Sequence, residues 1–142
     1  MNQTVSTLRP DLQLIADWVS PGSRVLDLGC GEGDLLAWLQ AHKQVSAYGV
    51  DFDVNNVVRC VAANVNAIQG DLEAGLAEFA DQRFDHVVLS QTIQAMHNTE
   101  QILLEMLRVG REAIVTFPNF GYWENRWQIL KGRMPVSDDM PY

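Results

Sequence analysis

Cysteine is nearly missing from the 142 residues, and the two present, Cys30 and Cys60, match neither a metal-ligand pattern nor C-x-x-C. They read as reduced thiols of a cytoplasmic protein, and no metal site is expected. No apolar run is long enough to span a membrane, and the opening Met1 to Thr7 is too polar for a signal peptide. Basic residues are also scarce. Ten Lys and Arg face eighteen Asp and Glu, for a net charge of −8, which argues against nucleic acid as a partner because phosphate contacts need a basic face. The shortage is local: five basic and thirteen acidic side chains precede Glu105, and five of each follow from Glu105 onward.

What is present is apolar material in the right arrangement. Hydrophobic residues make up 47% of the chain, which argues against disorder, and the length suits one domain, 1–142, that buries its own core. The organising stretch is Val25-Leu26-Asp27-Leu28-Gly29-Cys30-Gly31-Glu32-Gly33-Asp34-Leu35-Leu36. An apolar run gives way to glycines at alternate positions, after which Leu35, Leu36 and Leu39 resume at helical spacing. This is a strand, a tight turn and a helix, the arrangement that lets a ligand approach backbone amides at a helix start.

Gly29, Gly31 and Gly33 only partly match the dinucleotide pattern, because Asp34 stands where its last glycine belongs, and a P-loop is excluded by the lack of a lysine. Charge is more decisive. Asp27, Glu32 and Asp34 surround the turn, and each close like-charge pair with a phosphate would cost on the order of a few kcal/mol. A nucleoside without phosphates and with positive charge fits, and S-adenosylmethionine (SAM), with its ammonium and sulfonium groups, meets that description. The stretch V-L-D-L-G-C-G-E-G resembles the first motif of class I SAM-dependent methyltransferases. The competing reading is a degenerate nucleotide fold that uses these glycines only for close packing.

The rest of the chain is consistent with a doubly wound, Rossmann-like α/β fold. A helix at about 10–19 carries Leu12, Ile15, Trp18 and Val19 on one face, with Pro10 in its first turn. Strands are expected at Val45–Val50, Val65–Ile68, Phe84–Leu89 and Glu112–Phe117, separated by helices to about His42, from Val54 to Ala63 and from Thr99 to Val109. Asp51 closes the second strand 22 residues beyond Gly29, near the roughly 20 expected of a carboxylate that accepts ribose hydroxyls. Asp53 is expected to cap the following helix. Asp71 follows the third strand, where the methyltransferase resemblance implies a contact to the adenine amino group; a turn-forming Asp is the alternative. Ser90, after the fourth strand, joins the cofactor-binding set of Asp27, Gly29, Gly31, Gly33, Asp51 and Asp71. Ser90-Gln91-Thr92 lacks the Pro-Pro and aromatic pattern of amino-group methyltransferases acting on nucleic acid or glutamine. His97 is a weak candidate for a general base, with a surface histidine as the plainer reading; His42 and His86 do not look functional.

Five of the twelve aromatics fall between Phe117 and Leu130. Trp123, Trp127 and Leu130 stand at i, i+4, i+7, so a helical tail is expected over about 119–142, serving as a lid, a docking surface or core packing. The class I fold continues past its fifth strand into an antiparallel hairpin, for which the chain looks too short. Strands 6 and 7 are therefore expected to be missing, leaving Ala113 to Phe117 as an open edge that invites a partner or a homodimer.

Several segments are similar to a narrower family. Leu8-Arg9-Pro10-Asp11-Leu12, the run Pro21 to Gly31, Val87-Val88-Leu89-Ser90-Gln91-Thr92, Glu105 to Arg111, Phe117 to Gly121 and Gly132-Arg133-Met134-Pro135-Val136 resemble the MetW family of bacterial methionine-biosynthesis proteins. That resemblance covers essentially the whole chain. It implies work beside homoserine O-acyltransferase and binding of SAM or S-adenosylhomocysteine (SAH). It also marks a departure, since Asp51 stands where the family often has Glu. Three functions remain open on these residues: a SAM-binding partner that adjusts the acyltransferase, an active small-molecule methyltransferase, and a structural subunit without ligand.

Overall fold

The computed structural model describes residues 8–74, 76–90, 97–119 and 126–133. Five parallel strands, β1 (Arg24–Leu28), β2 (Ser46–Asp51), β3 (Asn66–Gln69), β4 (Phe84–Ser90) and β5 (Gly110–Asn119), and the antiparallel β6 (Arg126–Arg133) form one sheet in the order β3-β2-β1-β4-β5-β6. Helices α1 (Pro10–Trp18), α2 (Asp34–Lys43), α3 (Val54–Ala62) and α4 (Thr99–Val109) accompany it, with a short 3-10 turn at Leu72–Ala74.

Period-two alternation places the core on both faces. Along β1, Val25 joins the cluster that holds Leu12 and Ile15 of α1 and Leu36 and Leu39 of α2. Its neighbours Leu26 and Leu28 join the opposite cluster, with Ile102, Met106 and Val109 of α4. Near-continuous apolar strands of this kind are what a sheet covered on both faces requires. Pro10 occupies the first turn of α1, and Asp53 caps α3 by accepting from the Asn55 amide at 2.9 Å. Lys43 donates to the carbonyls of Ala16 at 2.6 Å and Val19 at 2.8 Å, which ties the end of α2 to the end of α1.

The fold class expected from the sequence stands, but its far edge does not. Residues 126–133 are extended and pair with β5 from Asn119↔Arg126 to Glu112↔Arg133. The helical tail over 119–142 is thus corrected in this part, and so are the missing sixth strand and the open β5 edge. The physical reason is that β5 presents a row of backbone groups that an adjacent strand satisfies, a demand stronger than three aromatic and aliphatic residues at helical spacing. A strand repeats every two residues, so the helical spacing read at Trp127 and Leu130 does not describe this segment. Trp123 and residues 134–142 lie outside the described residues.

Arg108 fastens α4 to the segment before β4. Its guanidinium donates to Glu105 (2.8 and 3.0 Å), Asp81 (2.8 Å) and the carbonyls of Leu76 (2.8 Å) and Phe79 (2.9 Å). Glu105 in turn accepts from the Leu76 amide at 3.1 Å. The Arg108 hydrogen bond holds the Glu105 carboxyl below its usual range. Arg108→Met is expected to cost about 2–3 kcal/mol, since it removes charge-assisted bonds and strands two carbonyls. Urea unfolding of both proteins checks this. The penalty shrinks as pH falls through the lowered pKa of Glu105, because the wild-type pair loses its charge there.

Candidate functional site

The strand order reverses between β1 and β4, and ligands of open α/β sheets bind at the carboxyl ends of the strands beside such a point. The turn after β1 sits there. Gly29, Gly31 and Gly33 all have positive φ (75°, 58° and 86°), a backbone conformation that side chains disfavour. At Gly33 space is also closed, since a Cβ would meet the Cys60 sulfur at 3.0 Å.

The turn is braced from β2. Asp51, at the end of that strand, accepts from the Gly31 amide through Oδ2 at 2.9 Å. Its Oδ1 accepts from the Asp53 amide at 2.8 Å and from Asn56 Nδ2 at 3.3 Å. The two cysteines, thirty positions apart in sequence, meet beneath the turn with sulfurs 3.5 Å apart, and Cys60 Sγ lies 3.2 Å from the Gly31 carbonyl. Burial, helped by nearby Asp27, pushes the Cys30 thiol well above its usual range, and burial raises the Cys60 thiol too, which disfavours the thiolate at both.

A cavity of about 540 Å³ opens over the turn and is lined in part by Asp27, Gly29, Gly31, Asp51 and Ser90. Five of the seven residues expected to hold a cofactor are therefore brought together. Gly33 lies just behind, at the N-cap of α2. Asp71 lines a second cavity of about 160 Å³, separate from the first and next to it, with Leu72 bordering both. His97 is exposed just ahead of α4 and lines neither cavity.

Asp27 is the unusual member. It is 3% exposed, its Oδ1 has no hydrogen-bond partner among the described residues, and its pKa is pushed up to about 7 by burial and then by the charge of Asp51. A buried carboxylate oxygen without a donor is a cost that a positively charged ligand group would relieve. Glu32 and Asp34 line the same cavity, so its charge favours a cation and opposes phosphate. The residues present thus fit the ammonium and sulfonium of SAM.

Two polar or aromatic lining residues to which sequence reasoning gave no role are informative. Arg9, just before α1, is the basic side chain at the cavity among the described residues, and Phe52, after Asp51, offers it a largely exposed ring. Both adjoin positions already singled out, Pro10 and Asp51, but nothing local showed that Arg9 reaches the sheet's carboxyl edge.

Parallel strands, the glycine turn at the switch point and the acidic cavity define a protein of the class I methyltransferase fold. The [4+2]-cyclase SpnF superposes with a TM-score of 0.68 at 22% identity, over 75% of this chain and 43% of that one. Phosphoethanolamine N-methyltransferase 2 of Haemonchus contortus, solved in complex with S-adenosyl-L-methionine, gives 0.67 at 20% identity, over 79% and 28%. The chain belongs to the MetW family of methionine biosynthesis proteins, whose profile matches residues 9–142. A curated relative, the bifunctional methionine biosynthesis protein MetXA/MetW of Rhodopirellula baltica, is 39% identical over 140 residues. That alignment takes in 92% of this chain and 22% of the relative's length.

Proposed function

We propose that the chain binds SAM or SAH and, in that state, adjusts the activity of homoserine O-acyltransferase in methionine biosynthesis. The observation that carries the binding reading is the buried carboxyl of Asp27, one oxygen of it unpartnered among the described residues, in the lining of a cavity rich in carboxylates. In this reading Asp27 accepts from the amino group of the ligand and Arg9 meets its carboxylate. Asp51 receives a ribose hydroxyl through Oδ2, with Gly29, Gly31 and Gly33 allowing close approach. Ser90 borders the amino-acid end, and Asp71 reaches the adenine amino group from the adjoining cavity. SAM supplies a transferable methyl group when bound; the residues named here bind and orient it.

The partner is supported by the relative from Rhodopirellula baltica, whose name joins MetXA and MetW in one bifunctional chain. Two functions kept on one polypeptide stay at high effective concentration, which suits components that work in contact.

An active small-molecule methyltransferase is the second reading. Asp27, with a pKa near 7, has the proton affinity of a general base, and positioning contributes much of the acceleration of a two-substrate transfer.

Co-purification with homoserine O-acyltransferase, followed by acyltransferase assays with and without the chain and with SAM or SAH added, tests the first reading. A complex and a ligand-dependent change in rate are expected. No complex and no change would overturn it, and turnover of labelled methyl donor onto an acceptor would favour the second.

A further inference from the structure

The sheet's other edge is β3, which among the described residues pairs only with β2. Apart from being short, it lacks the chemical guards against further pairing: Asn66-Ala67-Ile68-Gln69 contains no charge and no proline. Over it lies α3, whose apolar residues are largely turned outward. Cys60 is the buried one, while Val54, Val58 and Val61 are each more than half exposed.

Their direction can be read from the helix itself. At 100° per residue, Arg59 and the valine stripe lie on opposite flanks of the line that buries Cys60. Arg59 reaches Glu32 of the glycine turn at 3.2 Å, so its flank faces the centre of the sheet. The valine flank therefore faces beyond β3. Val61 also helps line a cavity of about 410 Å³ with Asn66 and Ala67, which places that end of the stripe beside the edge strand.

We propose that this edge is the contact surface for a second copy of the same chain. A two-fold axis perpendicular to the sheet sets one β3 antiparallel to the other and keeps both α3 helices on one face, flank against flank. Charge supports a copy of itself as the occupant. The chain carries −8 overall, so most of its surface repels another copy, yet from Val54 to Gly70 it holds no acidic residue and one basic residue, the ion-paired Arg59. Here two copies meet without juxtaposing like charges. Asn64 and Asn66, at the edge cavity, each carry donor and acceptor and can satisfy their own image.

Sedimentation velocity of the full chain over a range of concentrations is the test. A monomer–dimer equilibrium is expected that tightens as salt screens the net charge. Val58→Glu and Val61→Glu, each at an exposed position that tolerates charge in the monomer, are expected to raise the dissociation constant about tenfold or more by burying a carboxylate in the contact. Leu104→Glu, on exposed α4, is expected to leave it unchanged. Thermal unfolding establishes that each variant is folded. A wild type that stays monomeric throughout overturns the proposal, as does a dimer that neither valine variant weakens. A monomeric wild type whose stripe is needed for binding the acyltransferase would assign the surface to that partner and overturn it as well.

Discussion

Asp27→Asn is expected to stabilise the ligand-free protein at pH 8 and to weaken its hold on SAM. The two effects have one source. A carboxyl whose pKa rises from 3.8 to about 7 on folding carries roughly 4 kcal/mol of disfavoured charge above pH 7. An amide of the same shape removes the charge and keeps part of the cost of an unpartnered buried oxygen, so a gain of about 2–4 kcal/mol is expected, or roughly 5–10 °C in Tm. The sign with pH follows from proton counting. Between 3.8 and about 7 the folded state binds more protons than the unfolded one, so wild-type stability falls as pH rises through that window. The advantage of the variant should thus shrink at pH 5 and be complete at pH 8. In calorimetric titration its affinity for SAM should fall by about 10- to 100-fold, the worth of one charge-assisted bond. Wild-type affinity should weaken below pH 7 while the variant's stays flat. A less stable variant at pH 8, or unchanged binding, would show that Asp27 is neither the strained group nor the cation receptor. This is the stability cost expected of a binding residue held ready before its ligand arrives.

Much of this was legible because it rests on local rules. Alternate glycines between an apolar run and a helical repeat describe a strand, turn and helix in any context, and Asp51 follows at the expected distance. Asp53 caps its helix as residue type and position required. What escaped depends on distant encounters. The pKa of Asp27 rises because β1 is flanked by β2 and β4 and because Asp51 lies nearby, neither of which is written in its neighbours. Arg9 reaches the cavity only because α1 packs beside the glycine turn. The Arg108 network joins residues about thirty positions apart. His86 appeared to be a simple strand residue, yet its Nε2 accepts from the Ser20 amide at 3.2 Å and its Nδ1 lies 3.1 Å from Glu112 Oε2. It thus links β4 to β5 beneath the end of α1. The tail shows the opposite failure, in which a local pattern was present and the sheet's edge outweighed it.

Asp51→Ala carries the larger expected loss of binding. Three donors converge on this carboxylate, the amides of Gly31 and Asp53 and the side chain of Asn56, so it shapes the glycine turn before any ligand binds. Each of its oxygens has a second lone-pair direction, but Oδ1 already accepts twice, which leaves Oδ2 to receive a ribose hydroxyl. In the proposed binding mode alanine removes the ribose acceptor, and with it the brace of the turn. The lost ribose contact, at about 1.5–3 kcal/mol for a bond to a charged group, together with the loss of the brace that shapes the turn, implies a loss of affinity for SAH on the order of 100-fold or more. The unbraced Gly31 amide adds a destabilisation of about 1–3 kcal/mol, visible in Tm. Asp51→Glu separates the two roles. Its longer side chain extends toward the ribose and displaces the carboxylate from Gly31, so affinity should be largely retained while stability drops. Calorimetric titration with SAH beside thermal unfolding reads both quantities. If Asp51→Ala binds SAH like the wild type, Asp51 is only the brace of the turn, and the ribose must be held elsewhere. If both variants lose binding in proportion to stability, the turn's shape alone governs affinity. Loss of binding in Asp51→Ala with retention in Asp51→Glu would identify the carboxylate as a ligand contact.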